Sequence, residues 1–274
     1  MITIPFVKAH GAQNDFLLTW EDQLPPGIAD MPDAARAICG RNTGVGADGW
    51  IVVTRSHLAP GVQLPPSISI QLWNSDGSRS EISGNGTRCA AALWVDSGNA
   101  LSEIHILTGA GLKMLRLIER QGLHFLFEMK MGRAHIEELC SPIVPGKDVV
   151  ILNVGNPQCA VFCPDFEFDW RALGAELERH PRFPNRTNVS FVRVLDRHRL
   201  DIRFFERGAG VTRSSGTGST GAAAAALARG LVSSPVQVLT PAGPLNLRWE
   251  DADIVLAGPA EIVAKGEFYW DGPQ

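Results

Sequence analysis

The stretch SGNGTRCAAAL at residues 83–93 has a second copy, SGTGSTGAAAA, at residues 215–225. The offset is 215 − 83 = 132 residues, and at that offset an apolar segment ends at Asn74 before the first copy and at Glu206 before the second. Self-similarity at a fixed spacing indicates a duplicated structural unit. The chain of 274 residues has room for two related domains of about 130 residues each.

Composition excludes several classes of protein. With 45% hydrophobic and 20% charged residues, the chain can bury a substantial core. The formal charge of −4 predicts no nucleic-acid partner, and the absence of an apolar run of about 18 residues predicts no membrane contact. The five cysteines and seven histidines are dispersed, so no metal site is expected. We expect a cytoplasmic protein.

Strands outnumber helices in the hydrophobic pattern. Eleven segments, from Ile2–Lys8 to Leu200–Phe205, show strand patterning, and a further strand near Gly266–Trp270 is expected to return to the first domain. The predicted helices are Asp33–Cys39, Gly86–Val95, Trp170–Arg179 and Ser219–Ala228. Because strands and helices do not alternate one for one, the pattern favours an α+β fold.

Each copy of the repeat places a serine and glycines at the start of an alanine-rich helix. Glycines let backbone N–H groups converge, and a helix start adds unpaired donors and partial positive charge, so each copy predicts an anion cradle. Ser83 and Ser215 stand at the first position of the two cradles. Paired groups facing one carbon suggest two-base chemistry, whereas the alternative is that both serines are N-caps.

Other polar residues lie near predicted strand ends. Each asparagine among them suits a turn, but together with a Glu-Arg pair they could bind the amino and carboxylate groups of an amino acid. These residues are Asn14, Asn74, Asn156, Asn188, Glu206 and Arg207.

The motifs HGAQNDF, RNTGVGADGW, WNSDGSRSEISGNGTRC, VGNPQ, NRTNV and ERGAGVTRSSGTG follow one another between Lys8 and about Ala225. In this order and spacing the chain resembles diaminopimelate epimerase. The resemblance implies an α+β (α/β) fold of two pseudo-symmetric domains, each a curved sheet around a central helix, with the active site in the interdomain cleft. The expected domains are residues 1–118, also receiving 265–274, and residues 119–264.

The resemblance also implies an activity. Diaminopimelate epimerases interconvert the LL and meso forms of diaminopimelate, in lysine and cell-wall synthesis, without pyridoxal phosphate or another cofactor. One thiolate removes the α-proton and a thiol on the opposite face returns one. The expected partners are a small amino-acid substrate and a second copy of the chain in a homodimer.

Carried over by position, the resemblance assigns roles to individual residues. It implies Ser83, Ser215 and Glu206 as catalytic residues. It implies as substrate-binding residues Asn14, Asn74, Gly84, Asn85, Asn156, Asn188, Arg207, Gly216 and Thr217.

Departures from the family concentrate on the chemistry. The family's two cysteines fall at Ser83 and Ser215, its histidine after Asn-Pro falls at Gln158, a glutamate falls at Val211, and a glycine of the first loop falls at Gln13. A serine hydroxyl is a weaker acid than a thiol by roughly five units, or about 7 kcal/mol, which unrescued removes on the order of 10⁵ in rate.

Three hypotheses remain open at the level of sequence. The leading one is an epimerase-family isomerase acting on an amino acid with a polar far end. The second is elimination or dehydration of a related amino acid, because abstraction of a proton from one face does not need two matched thiols. The third is a ligand-binding homologue that has lost the chemistry.

Overall fold

The structure, a computed structural model, describes residues 1–26, 28, 30–55, 67–99 and 102–272. The helices are α1 Met31–Cys39, α2 Gly84–Asp96, α3 Trp170–Glu178 and α4 Gly216–Ala228, with a short 3-10 turn at Glu21–Gln23. The strands are β1 Ile2–Gly11, β2 Asn14–Trp20, β3 Gly49–Arg55, β4 Ser67–Asn74, β5 Arg79–Ser80, β6 Glu103–Thr108, β7 Gly111–Gln121, β8 His124–Gly132, β9 His135–Glu138, β10 Asp148–Asn153, β11 Pro157–Phe162, β12 Asn188–Asp196, β13 Arg199–Glu206, β14 Gly210–Thr212, β15 Val236–Thr240, β16 Gly243–Glu250 and β17 Asp253–Trp270.

The chain divides into two compact units. The first comprises Met1–Met129 and Gly258–Gln274, and the second comprises Lys130–Ala257. The first unit therefore receives the C-terminal part of β17, where Trp270 to Glu261 pair antiparallel with Ile2 to His10 of β1.

In the first unit the strand pairings form a closed ring, β1-β2-β3-β4-β6-β7-β8-β17 and back to β1. β2 and β3 run parallel, as do β4 and β6. The pairs β1–β2, β3–β4, β6–β7, β7–β8 and β1–β17 run antiparallel. Helix α2 contacts β1, β2, β3, β4 and β6, and every residue from Gly84 to Val95 is buried. Closure of the ring leaves no free strand edge among these eight strands.

The second unit repeats this pairing scheme. β10 and β11 run antiparallel, β11 and β12 parallel, β12 and β13 antiparallel, β13 and β15 parallel, and β15 and β16 antiparallel. Helix α4 contacts β10, β11, β12, β13, β15 and β16. The outer helices also correspond, because α1 contacts β3 and β4 whereas α3 contacts β12 and β13.

These pairings confirm the α+β class, since the sheet is mixed and helices are few. All four predicted helices are present, but α2 and α4 begin at Gly84 and Gly216, earlier than the alanine pattern indicates. The glycines after each serine form the first helical turn because the serine side chain caps it. Among the described residues no helix is long and apolar enough to span a bilayer.

Five strands of the described residues were not predicted: β5, β9, β14, β15 and β16. A sixth was predicted too short, because β17 begins at Asp253 although the sequence indicated a strand only near Gly266. Gly258 and Pro259 interrupt the apolar pattern of β17, yet the strand runs through them. A break in local pattern does not end a strand when its neighbours supply the hydrogen bonds.

Candidate active site

Ser83 caps the first cradle. Its backbone is extended, with φ −131° and ψ 122°, and its Oγ accepts a hydrogen bond of 3.2 Å from Gly86 N. The Thr87 hydroxyl donates to the Ser83 carbonyl at 2.7 Å. The N-cap interpretation is therefore confirmed for Ser83. Among the described residues, no carboxylate accepts the Ser83 hydroxyl proton.

Ser215 caps the second cradle in the same way. Its φ and ψ are −141° and 122°, and its Oγ accepts from Gly218 N at 3.0 Å. Its surroundings are different, because the Ser215 Oγ also donates to Glu206 Oε1 at 2.6 Å. The serine is buried, at 4% exposure. Ser215 is thus both an N-cap and the donor of a serine-carboxylate pair.

The carboxyl group of this pair has a shifted pKa. Burial raises the pKa of Glu206 above its ordinary value of 4.5, and the hydrogen bond from Ser215 opposes part of that rise. A carboxylate with a raised pKa is a stronger base than one in water. The counterpart of Glu206 in the first unit is Asn74, whose Nδ2 donates to Ser78 Oγ at 2.9 Å. The two cradles are therefore alike in backbone and different in base chemistry.

Asn14 and Asn85 lie together beside the first cradle. Asn85 Nδ2 donates to Asn14 Oδ1 at 3.1 Å, and Asn14 Nδ2 donates to Asp48 Oδ2 at 2.6 Å. The turn before Asn14 is a two-residue hairpin in which Ala12 and Gln13 have φ of 51° and 59°. L-residues rarely adopt this region, so the turn carries a local energetic cost next to the site.

A close backbone approach holds that hairpin against α2. A Cβ added to Gly11 would lie 3.1 Å from the Asn85 Cα and carbonyl oxygen. Only glycine lets the end of β1 come this near to the first turn of α2. The contact between Asn14 and Asn85 follows from that approach.

Asn156 and Thr217 lie together in the second unit. Asn156 Nδ2 is 3.4 Å from Thr217 Oγ1, and Gln158 Nε2 donates to Asn156 Oδ1 at 2.7 Å. Gln158 is 2% exposed and packs on α4, where a Cβ at Gly221 would lie 3.0 Å from its Cγ. Gln158 therefore orients the amide of Asn156.

Asn188 and Arg207 are also in contact. Asn188 Oδ1 accepts from the Arg207 backbone N–H at 3.1 Å, and its Nδ2 donates to Pro157 O at 3.1 Å. The next residue of the turn, Gly208, donates its N–H to Glu178 Oε1 at 3.1 Å. The buried Glu178 thus holds the turn that carries Glu206 and Arg207.

The structure brings most of the predicted site residues into pairs within their own unit. These pairs are Asn14 with Asn85, Asn156 with Thr217, Asn188 with Arg207, and Glu206 with Ser215. Gly84 and Gly216 open the two helices, whereas Asn74 bonds to a residue outside the predicted set.

Three residues that support the site were not singled out from the sequence: Arg88, Asp48 and Glu178. Arg88 was within reach of sequence reasoning, because a charged residue directly before an apolar, alanine-rich helical stretch is unusual in a fully buried helix. Asp48 and Glu178 carry no comparable local signal. Among the described residues, no group of three or more His, Cys, Asp or Glu side chains is arranged to hold a metal ion.

Solved structures share the fold over the whole chain. A phenazine biosynthesis protein of the PhzF family from Bacillus anthracis aligns with TM-score 0.73 and 15% identity, covering 97% of this chain and 99% of that one. A hydroxyproline epimerase from Agrobacterium vitis, with bound trans-4-hydroxy-L-proline, aligns with TM-score 0.68 and 14% identity, covering 97% and 90%. The fold is that of the diaminopimelate epimerase-like and PhzF-like α+β proteins.

Proteins found by sequence comparison have a higher sequence identity to this chain than these solved structures do. The diaminopimelate epimerase of Moorella thermoacetica is 35% identical over 97% of this chain and 99% of its own, and that of a Synechococcus species is 36% identical over 96% and 97%. A diaminopimelate epimerase family profile matches residues 6–137 and 150–263. The chain belongs to the diaminopimelate epimerase family and is an epimerase-like enzyme.

Proposed function

We propose that this protein removes and returns the α-proton of an amino acid of the diaminopimelate type, converting the LL form to the meso form, with Glu206 and Ser215 as the base on one face. The observation that carries the proposal is the 2.6 Å hydrogen bond from Ser215 Oγ to a partly buried Glu206 within a helix-start cradle. A serine without such a partner is a weak base at neutral pH.

The proposed step uses this pair as a relay. The cradle N–H groups of α4 bind the carboxylate at the reacting carbon and stabilise charge that develops on it. The Ser215 oxygen takes the α-proton while its own proton passes to Glu206 Oε1. The C–H electron pair stays on the carbon and delocalises into the carboxylate, and no cofactor takes part.

On the opposite face, the Ser83 hydroxyl donates a proton to the α-carbon and then regains a proton from water, while the Glu206 carboxyl releases its proton to water. The helix N-terminus and the Gly86 N–H stabilise the alkoxide formed in between. In this proposal the two units correspond to the two related domains that the repeat predicts.

The remaining polar residues are proposed to bind the substrate. They are Asn14, Asn74, Asn85, Asn156, Asn188, Arg207 and Thr217, with Gly84 and Gly216 supplying backbone donors. Arg207 is exposed and suits a carboxylate at the far end of the substrate. A homodimer and a cytoplasmic location belong to the same proposal.

A second candidate is elimination of a β-substituent after removal of the α-proton. The asymmetry of the two cradles favours it, because Glu206 partners Ser215 whereas its counterpart Asn74 bonds to Ser78. Removal of one proton from one face, with loss of a leaving group from the neighbouring carbon, needs a single base.

The experiment is incubation of the purified protein with LL-diaminopimelate in D₂O, followed by NMR for α-deuterium, chiral separation for inversion and mass spectrometry for product. Deuterium with inversion supports epimerisation, and a dehydrated or deaminated product supports elimination. Binding without deuterium uptake rejects both reactions and identifies a ligand-binding homologue. A heat-denatured sample controls for uncatalysed exchange.

A further inference from the structure

Arg88 lies one turn inside α2, directly after the first cradle, and is fully buried, at 0% exposure. Burial lowers the pKa of its guanidinium to about 10, which still leaves it charged at neutral pH. A buried charge is costly unless its donors are used. An arginine in this position therefore has a structural or functional reason that the proposed chemistry does not include.

The contacts of Arg88 point toward the cradle. Its Nη2 donates to Asn85 Oδ1, and its Nε donates to the carbonyl of Pro259 at 3.0 Å. Both acceptors are neutral. Its Nη1 is buried and has no hydrogen-bond partner within the described part of the chain.

The bond to Asn85 has a directional consequence. Because Arg88 can only donate, it fixes the Asn85 oxygen toward itself and turns the Asn85 Nδ2 outward. That nitrogen donates to Asn14 Oδ1, which in turn directs Asn14 Nδ2 to Asp48. The donor-to-acceptor direction of this series of hydrogen bonds is thus fixed at both ends. The buried cation of Arg88 fixes one end and the carboxylate of Asp48, which also contacts Arg41 at 2.7 Å, fixes the other.

This chain of bonds occurs once among the two copies of the repeat. At the offset of the repeat, Arg88 corresponds to Thr220, whose hydroxyl donates to Gly216 O at 2.8 Å within its own helix. Asn85 corresponds to Thr217, which Asn156 approaches from the turn between β10 and β11. In the first cradle, the orienting residue Arg88 belongs to the same helix as Asn85. In the second cradle, the contacting residue Asn156 lies outside the helix that carries Thr217.

We infer that Arg88 is a positioning residue that fixes the amide orientation of Asn85 and Asn14 for substrate binding. The inference rests on the proposed function, which assigns both asparagines to the substrate. With Arg88 in place, each amide presents one predetermined edge to a ligand and no reorientation is needed on binding. Without it, either amide can rotate by half a turn and present the wrong group.

The first test compares Arg88→Met, which removes the donors at similar length, with Arg88→Lys, which keeps a charged donor. In the substrate-free protein, NMR measures hydrogen exchange of the Asn14 side-chain amide. We expect exchange to rise about tenfold in Arg88→Met, because the oriented bond to Asp48 is lost, and to return toward the native rate in Arg88→Lys. Unchanged exchange in Arg88→Met overturns the inference.

Kinetics of α-deuterium uptake supply the second readout. We expect KM to rise about tenfold in Arg88→Met with kcat within about twofold of native, since the asparagines contribute binding rather than proton transfer. A fall in kcat with KM unchanged overturns the inference. Thr108→Val is the matched control, because it breaks a 2.8 Å bond to Gly111 O in the same unit and removes no hydrogen bond of Arg88, Asn85 or Asn14. It is expected to change stability without changing KM.

A variant at Asn85, which accepts the hydrogen bond from Arg88, covers the case in which Arg88→Met does not fold. Asn85→Asp keeps the acceptor for Arg88 and removes the donor to Asn14. We expect this variant to fold and to show the same faster exchange of the Asn14 amide, whereas a native exchange rate contradicts the inference. The NMR readout needs no substrate, so it remains decisive even if the native protein takes up no α-deuterium, a result that rejects the proposed function alone.

Discussion

At the scale of single residues, the two serines occupy equivalent backbone positions and have opposite electrostatic neighbours. Ser83 Oγ faces the Gly86 N–H at a helix start, whereas Ser215 Oγ faces the Glu206 carboxyl as well. A helix N-terminus favours an anion and a carboxylate disfavours one. The same substitution should therefore behave differently at the two sites.

We predict that the thiol introduced by Ser83→Cys has a lower pKa than the thiol introduced by Ser215→Cys, by at least about one unit. Alkylation rates against pH, followed by mass spectrometry of the peptide concerned, give both values. Adding Glu206→Gln to Ser215→Cys should remove most of the difference. Equal pKa values in the two single variants would show that Glu206 does not govern the second cradle.

The raised pKa of Glu206 also predicts a pH dependence of stability. Below 4.5 the group is protonated in both the folded and unfolded states, and the stability that its neutral form contributes is fully present. As the pH rises through the raised pKa of the folded state, that stability is lost, because the unfolded chain ionises more readily.

We therefore predict that the free energy of unfolding of Glu206→Gln, relative to the native protein, increases as the pH rises above 4.5 and levels off above the folded-state pKa. Urea unfolding across this pH range measures it. Glu250→Gln, at an exposed position, is the control for the exchange of a glutamate for a glutamine. A constant difference between Glu206→Gln and native protein at all pH values would contradict the burial effect.

Sequence reasoning named the polar residues of the candidate site but not their hydrogen-bond partners. Ser83, Ser215 and the asparagines belong to local motifs, so their positions beside helix starts and strand ends could be predicted. Glu206 accepts from Ser215 whereas Asn74 donates to Ser78, and this difference depends on how the turn after each strand is folded. Glu178 becomes important only once α3 brings it to the Gly208 N–H.

At the scale of elements, α4 carries the second cradle and packs against β11 through a glycine. A Cβ at Gly221 would lie 3.0 Å from Gln158 Cγ and 3.2 Å from its Cβ, and Gln158 is held by its bond to Asn156. The alanine run alone predicts the helix, and the glycine within it has a packing reason that the local pattern does not show.

We predict that Gly221→Ala lowers the free energy of unfolding by about 1 kcal/mol despite the better helix propensity of alanine, because Gln158 must shift. The same exchange in a Gln158→Ala background should instead stabilise the protein. Thermal unfolding of the four proteins of this double-mutant cycle tests the coupling. Identical effects of Gly221→Ala in both backgrounds would contradict the predicted contact.

Two of the strands that were missed or shortened differ in their local pattern. β16 alternates apolar and polar residues from Leu245 to Glu250, as a half-buried strand does, whereas Gly258 and Pro259 interrupt the apolar pattern of β17. β16 pairs with β15, and the C-terminal part of β17 pairs with β1, which lies at the other end of the sequence. The pattern of β16 was therefore within reach of sequence reasoning, whereas the full extent of β17 depends on distant partners.

At the scale of the whole molecule, the C-terminal segment completes the first unit. Trp270 is 8% exposed and packs in a core with Ile4, Leu17 and Trp50, and its backbone pairs with Ile2. The neighbouring Tyr269 is 61% exposed. The first unit thus depends on residues from both ends of the chain.

We predict that Trp270→Ala lowers the free energy of unfolding by about 3–5 kcal/mol, the usual cost of removing a large buried aromatic side chain. Tyr269→Ala should change it by less than about 1 kcal/mol, because little apolar surface is lost. Urea unfolding followed by circular dichroism measures both. Equal effects of the two substitutions would show that the C-terminal segment does not contribute to the core.

At this scale the two units have matching elements and different polar contacts. They share strand pairings, outer helices and capped alanine-rich helices, and they differ where chemistry is proposed: Arg88 and Asn85 in the first, Glu206 and Gln158 in the second. The sequence repeat predicts a duplicated unit, since a shared fold preserves local motifs. It could not predict the division of roles, which arises from contacts between elements.

The measurement that most directly tests the proposed base is the rate of α-deuterium uptake by LL-diaminopimelate in D₂O, compared between the native protein and Glu206→Gln with Glu250→Gln as control. Removal of a general base predicts a fall of at least about 100-fold in Glu206→Gln and a native rate in Glu250→Gln. Native uptake in Glu206→Gln would contradict the assignment of the Glu206–Ser215 pair as the base.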